Sequence, residues 1–334
     1  MSTLLRTEGL NVKIPIASGL LHPVRNVSFS LDRGETFCIV GESGCGKSLT
    51  ALAIMDLLPS RATRSVRRLS LAGEDLSRVP KARMADIRGN MIGMIFQEPM
   101  TSLNPCYTIG NQLEETFLRH HRAPRASARE RAIFLLEKVG ISGADSRMRQ
   151  FPHQLSGGLR QRVMIAMALM CGPDLIIADE PTTALDVTIQ AQILRLLIDL
   201  QHEFGMAVIL ITHDLGVVAR VAHRVCVMYA GEIVETGTVR EIFESPLHPY
   251  TQGLMKCMPV PGRTRRGKRL GTIRGMVPNV TEDFHGCGFR NRCSYAFEAC
   301  GQTDVALNET SPGRAYRCLL APRECHENAR AFRA

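Results

Sequence analysis

An α/β fold, in which a parallel sheet carries a phosphate-binding loop, is predicted by three stretches of this 334-residue sequence. Gly41-Glu42-Ser43-Gly44-Cys45-Gly46-Lys47-Ser48 reads G-x-x-x-x-G-K-S. It lies between the apolar run Thr36–Val40 and a Gly-free, apolar-rich stretch from Leu49 to Leu58 that Pro59 stops. Leu175 to Ala178 is a second apolar run and delivers two acids, Asp179 and Glu180. A third, Ala207 to Thr212, is followed at once by His213. Such runs suit strands covered on both faces, and open α/β sheets bind ligands beyond the carboxyl ends of their strands.

Strand, glycine loop and helix bring backbone N–H groups and the positive end of a helix dipole to one point, which suits phosphate. Gly41, Gly44 and Gly46 permit a tight wrap with N–H groups facing inward, where side chains would obstruct. Lys47 is expected to reach the β- and γ-phosphates of ATP, and the Ser48 hydroxyl to ligate Mg²⁺. Glu42, Ser43, Cys45 and Leu49 complete the nucleotide-binding stretch. Cys45 reads there as a small space-filling residue, not a nucleophile.

Ahead of this loop, Leu10 to Leu31 alternates loosely between apolar and polar residues and predicts an antiparallel hairpin. Arg67 to Gly73 and Met91 to Gln97 are strand candidates, with a polar helix between Pro80 and Gly89. The second of these strands delivers Gln97 at its end. Residues 98 to 154 are mainly helical in pattern, with helices near Ile109–His121 and Ser127–Gly140, and form an insertion before the next sheet strand. In the segment Leu155-Ser156-Gly157-Gly158-Leu159-Arg160-Gln161, Ser156 is a natural N-cap. Gly157 and Gly158 leave N–H groups at the helix start open to an anion, and the helix continues from Arg162 to Met170.

In a protein with this phosphate loop, an Asp at the end of a neighbouring strand orders Mg²⁺ and the next carboxylate polarises the attacking water. Asp179 and Glu180 hold those positions. Thr188 to Phe204 places Ile189, Ile193, Leu196, Leu197, Leu200 and Phe204 on one helical face. Arg224 to Tyr229 and Glu232 to Thr236, around Ala230-Gly231, read as a closing hairpin.

The composition, 45% hydrophobic and 22% charged, is that of a globular protein, and the length suits about two domains. Net charge is +9, but no basic run exceeds a few residues, so charge alone does not argue for nucleic acid. No apolar run approaches the roughly 18 residues of a membrane span, and the first residues carry no signal-like apolar core. The chain is expected in the cytosol, reaching a membrane only through a partner. Of eleven cysteines, five (Cys287, Cys293, Cys300, Cys318, Cys325) lie in the last 48 residues, which in a reducing compartment argues for a metal site over disulfides.

GESGCGKS, FQEP, LSGGLRQR, LIIADE, TALD and ITHD follow one another in this order. The order and spacing resemble the ATP-binding subunits of ABC transporters over residues from about 4 to 240. The resemblance implies a P-loop NTPase with an antiparallel β subdomain, a helical subdomain at about 98–165 and a Cys-rich C-terminal extension. The ATP-binding domain would span 1–245 and the extension 246–334. By the same resemblance Gln97 senses Mg²⁺ and contacts the permease. Ser156, Gly157 and Gly158 form the signature loop that binds the γ-phosphate held by a partner subunit. Asp179 serves the metal, Glu180 is the catalytic base, Asp186 lies in a dimer-contact loop and His213 touches the γ-phosphate. Two positions depart from the family. Leu159 stands where the signature often has Gln, and Ile14, with Pro15 and Ile16 beside it, stands where an aromatic usually stacks on adenine.

The stretch Ser245-Pro246-Leu247-His248-Pro249-Tyr250-Thr251, then Leu254, resembles the extension of oligopeptide and dipeptide importer ATPases. Cys287, Cys293, Cys300 and Cys318 give C-x5-C-x6-C-x17-C, without the C-x2-C pairs of zinc ribbons. Four thiolates from one irregular segment could hold a [4Fe–4S] cluster, and the resemblance points the same way; Cys325 is the spare. The implied function is ATP hydrolysis powering uptake of peptides or related solutes, at the cytoplasmic face of the bacterial inner membrane. Implied partners are a second ATPase subunit (a different chain in the usual arrangement), two transmembrane permease subunits and, indirectly, an extracytoplasmic solute-binding protein, with no nucleic acid. Two alternatives stay open: a soluble ABC ATPase acting on nucleic acid or the ribosome, and a regulatory ATPase whose cysteines sense iron or redox state. Against the first stand the single phosphate loop and the short spacing, about 57 residues, between Gln97 and Leu155.

Overall fold

The computed structural model describes residues 2–17, 19–98, 102–183, 186–258, 271–281 and 284–325. They fall into two compact units, one of residues 2–5, 31–35 and 71–210 and the other of residues 6–30, 36–70 and 211–325, in their described parts. In chain order the hairpin β1 (Thr3–Ile16) and β2 (Gly19–Asp32) leads to β3 (Thr36–Val40) and α1 (Lys47–Ile54). Short strands β4 (Thr63–Ser65), β5 (Arg68–Leu71) and β6 (Glu74–Asp75) precede α2 (Lys81–Ile87) and β7 (Ile92–Ile95). Helices α3 (Ile109–His120), α4 (Arg125–Lys138), α5 (Ala144–Arg147) and α6 (Gly157–Ala168) follow, then β8 (Leu175–Asp179), α7 (Val187–Phe204), β9 (Ala207–Thr212) and α8 (Leu215–Val221). The chain continues through β10 (Arg224–Tyr229), β11 (Glu232–Thr238), α9 (Val239–Glu244), α10 (Pro249–Cys257), α11 (Ala299–Gln302), β12 (Asn308–Ser311) and β13 (Arg314–Tyr316).

In the first unit β7 and β8 run parallel, Ile92 opposite Leu175 through Ile95 opposite Ala178, with β9 on the far side of β8. Every residue of β8 and β9 is buried, as their unbroken apolar runs predict for central strands. A Cβ at Gly93 of β7 would lie 2.6 Å from the Ala168 carbonyl oxygen, so only glycine lets the end of α6 approach the strand this closely. Helix α7 buries Ile193, Leu194, Leu197 and Leu200, together with Gln201, whose amide donates to the Gly34 carbonyl at 3.0 Å. Leu196 and Phe204, expected on that face, are only half-buried, because the buried stripe is rotated towards Leu194 and Gln201.

In the second unit β3 runs parallel to β10, and β10 pairs antiparallel with β11. Ala230 (φ 47°) and Gly231 (φ 83°) join the latter two, the left-handed pair that a two-residue hairpin turn demands. Helix α1 starts at Lys47, two residues earlier than the sequence pattern suggests. Gly46 caps it at φ 94°, and the Thr50 hydroxyl donates to the Gly46 carbonyl. It ends at Ile54, short of the expected Leu58. Asp56 turns left-handed there (φ 52°) and the Leu57 N–H reaches back to the Leu52 carbonyl, a closure that stops the helix. Beyond residue 300, where the sequence reads as irregular, β13 pairs with β11 (Glu235 opposite Tyr316) and β12 with β13. β12 is exposed at every position, so it has no buried face and no alternation to read. β4 pairs with β1 in the other sheet, Asn11 opposite Ser65. Among the described residues no helix is long and apolar enough to cross a membrane.

Candidate nucleotide site

The phosphate loop is built against its own unit. A Cβ at Gly41 would collide with the Met228 carbonyl oxygen of β10, and one at Gly46 with the Pro23 carbonyl oxygen of β2. At Gly44 nothing lies within 4 Å, so there the left-handed φ of 83° alone selects glycine. The Lys47 side chain is buried, its Nζ donating to the Gly41 carbonyl at 2.8 Å and the Glu42 carbonyl at 3.0 Å, which turns the ammonium into the loop. Cys45 is fully buried, its thiol pushed up by burial, and its carbonyl accepts from the Gly231 N–H at the tip of the β10–β11 turn. That environment agrees with a space-filling residue. Ser43 is exposed, and Ser48 and Leu49 are half-buried.

Two residues far along the chain hold Glu42. Its backbone N–H donates to the Tyr250 hydroxyl at 2.9 Å. Arg292 grips its carboxylate with both terminal nitrogens, at 2.5 and 3.0 Å. No pattern of short spacing marks either residue; Tyr250 lies in the SPLHPYT stretch and Arg292 precedes Cys293, but neither signal points to Glu42.

In the first unit the Gln97 amide donates to the Glu180 carboxylate at 3.3 Å, and the Thr183 hydroxyl to the same oxygen at 2.9 Å. Glu180 follows buried Asp179 at the end of β8 and takes a left-handed φ of 43°, costly for a residue with a side chain. Thr183, the first residue of TALD and given no role by the sequence, thus orients the acid. Ser156 caps α6, its hydroxyl accepting from the Leu159 N–H at 3.4 Å; Ser156 and Gly157 are exposed and Gly158 is half-buried. Asp186 is the exposed N-cap residue of α7. Ala184 and Leu185 of the TALD stretch lie outside the described residues. In the second unit His213 is exposed just past β9, ahead of α8, which the Asp214 carboxylate caps by accepting from Gly216 N–H at 2.7 Å.

Cys287, Cys293, Cys300 and Cys318 line one cavity of about 10 Å³ with His248, Phe289 and Tyr295. Burial pushes the Cys287 and Cys293 thiols up to about 11, and the neighbouring thiols add to the rise. Cys318 is pulled down to about 7 by a hydrogen bond from the Cys325 thiol. Cys325, left over in the sequence reading, is fully buried against Leu247 and Tyr316 beside Cys318. Among the described residues no group of three or more His, Cys, Asp or Glu side chains is close enough to hold a metal ion.

Comparison with known proteins places these features. Residues 24–183 match the ABC transporter family and residues 234–300 the C-terminal region of oligopeptide/dipeptide transporters. The dipeptide transport ATP-binding protein DppD of Escherichia coli is 47% identical over 315 residues, 94% of this chain and 96% of that one. The chain belongs to the ATP-binding proteins of peptide ABC transporters. A putative peptide import ATP-binding protein of Brucella abortus is 49% identical over 326 residues, covering 95% and 96% of the two chains. An ATP-binding cassette solved as a dimer bound to ADP and Pi shares the fold, with a TM-score of 0.63 and 28% identity over 71% of this chain and 99% of that one. As a member of this family the chain is the ATP-hydrolysing subunit of a transporter, with a P-loop ABC ATPase fold built on mixed α/β sheets.

Proposed function

We propose that this subunit powers uptake of peptides or related solutes by binding ATP at the loop Gly41–Ser48 and hydrolysing it with Glu180 as general base. The observation that carries the assignment of the base is the Gln97–Glu180–Thr183 contact. Two donors hold one oxygen of this carboxylate at the end of β8, fixing the acid that takes the proton of an attacking water. The water oxygen bonds to the γ-phosphorus, the bond to the β–γ bridging oxygen breaks, and ADP and phosphate leave. Lys47 neutralises phosphate charge, and His213 contacts the γ-phosphate. Ser48, Gln97 and Asp179 offer hydroxyl, amide and carboxylate oxygens, a hard donor set that suits Mg²⁺, which when bound stabilises charge on the phosphates.

The N–H groups of Gly157 and Gly158, beside the Ser156 hydroxyl, serve the nucleotide of a second ATPase subunit, a different chain in the arrangement we favour. Asp186 lines that contact. The remaining partners are two permease subunits and, through them, a solute-binding protein outside the membrane, with this subunit at its cytoplasmic face. Residues 1–245 form the ATP-binding domain and 246–334 the extension. Four thiols lining one cavity support a [4Fe–4S] cluster as its staple. Their spacing does not suit a single ion, and a cavity of about 10 Å³ holds one water, so its walls must move outward to take a cluster. Iron and sulfide analysis after anaerobic purification tests this, and iron-free protein removes it.

Glu180→Gln keeps the donors' acceptor but removes the base. ATP still binds, and turnover in the assembled transporter falls by a factor of roughly 100 or more. Turnover within a factor of about two of the parent would remove Glu180 from this role.

A further inference from the structure

A carboxylate inside a loop that must receive a triphosphate is an electrostatic liability, because it repels the ligand and competes for the lysine. Glu42 is such a residue, and its every polar group is engaged. Its N–H is held by Tyr250, its carbonyl accepts from Lys47, and its carboxylate is spanned by Arg292. The Arg292 side chain is only 5% exposed and is itself fixed. It donates to the Ile273 and Arg274 carbonyls at 3.1 and 2.8 Å and to the Tyr229 hydroxyl at 3.2 Å. Below it Phe289 packs edge-on to Tyr229, with ring centres 5.2 Å apart, and 5.3 Å from Tyr250. The turn Arg290–Arg292, which delivers the guanidinium, sits between Cys287 and Cys293.

We propose that Arg292 is a positioning residue for ATP: it neutralises Glu42 and, with Tyr250, holds the phosphate loop in the shape that receives the triphosphate. Planar bidentate pairing is what arginine offers and lysine does not, which accounts for the residue type. The segment that ends at Cys293 is thereby part of the nucleotide site, and ATP affinity depends on it. The proposal rests on the reading of residues 41–48 as the ATP loop.

Its test is equilibrium binding of a fluorescent ATP analogue to the full chain, alongside thermal melting. Arg292→Ala should weaken binding roughly tenfold, and Arg292→Lys by less, since the charge remains but the fork is lost. Adding Glu42→Gln to Arg292→Ala should restore part of the affinity, because the uncovered charge is gone. A purely structural contact would lower the melting temperature in all these variants and leave affinity alone. Affinity within about twofold of the parent in Arg292→Ala, or no recovery in the double variant, overturns the proposal. Lys47→Ala separates the two layers. If it leaves affinity intact, the loop reading itself fails; if it abolishes binding while Arg292→Ala does not weaken it, only the role of Arg292 falls.

Discussion

Residues 41–48 and residues 156–158 each present backbone N–H groups at the start of a helix, yet their surroundings differ at every point. The first loop is pressed against the Pro23 and Met228 carbonyls, tied to Gly231 and gripped through Glu42 by Tyr250 and Arg292. The second is exposed at Ser156 and Gly157, and its serine hydroxyl accepts one 3.4 Å cap bond from the Leu159 N–H. A loop finished by its own unit can receive a ligand without further ordering. One that faces outward has N–H groups to offer but, within its unit, little that closes over an anion, which is what a site completed by another subunit needs.

The contrast breaks most sharply at Gly46. Gly46→Ala drives a methyl into the Pro23 carbonyl from a left-handed backbone, so ATP binding should be lost and the melting temperature should fall. Gly44→Ala meets open space and carries only the conformational cost of about 1–2 kcal/mol. Its affinity should fall by less than about tenfold. Equal losses in the two would show that the neighbouring carbonyls do not shape the loop.

A second probe reaches the support under the first loop. The Glu235 carboxylate is wholly buried and accepts from the Leu247 and His248 N–H groups, at 2.7 and 2.9 Å, ahead of the helix that carries Tyr250. Burial raises it from 4.5 to about 7. The folded protein therefore keeps a proton that the unfolded chain has released. The stability this contributes is full below about pH 4.5 and is lost as pH rises through about 7, by at most about 3 kcal/mol. Thermal melts between pH 5 and 8 should show this decline, and Glu235→Gln should flatten it whatever the substitution costs in absolute stability. An unchanged pH slope would count against Glu235 as its source.

The smallest effect belongs to the outward loop. Ser156→Ala removes a cap bond of about 1 kcal/mol and a hydroxyl offered to the opposing nucleotide. Turnover in the assembled transporter should fall roughly tenfold, with a smaller change in ATP affinity of the isolated chain. The reverse pattern, affinity lost in the isolated chain, would place Ser156 in its own nucleotide site.

What the sequence made legible was written in consecutive residues. Phe37 to Val40, Leu175 to Ala178 and Ala207 to Ile211 are apolar without a break because both faces of those strands are covered, and Ala230-Gly231 announces its turn by size alone. Ser156 shows its capping role by type and place. The contacts around Glu42 are of another kind. Arg292 looks like any arginine in a basic tail, and its meaning comes from a carboxylate 250 residues away. The contacts of Thr183 and Cys325 were illegible for the same reason, since a hydroxyl on a carboxylate and a thiol on a thiol leave no periodic trace. After residue 300, β12 escaped because exposed polar residues on an edge carry no alternation, and β13 because three residues are too few to show a period.

The pairing of Glu42 with Arg292 also fixes an order of events during synthesis. Glu42 leaves the ribosome 250 residues before the arginine that covers it, a delay of roughly 12–50 s at bacterial-type elongation rates. Throughout that interval the strand, glycine loop and helix are already made, while the carboxylate among them is uncovered. On the positioning role proposed for Arg292, firm nucleotide binding by a nascent chain waits until residue 292 has been translated.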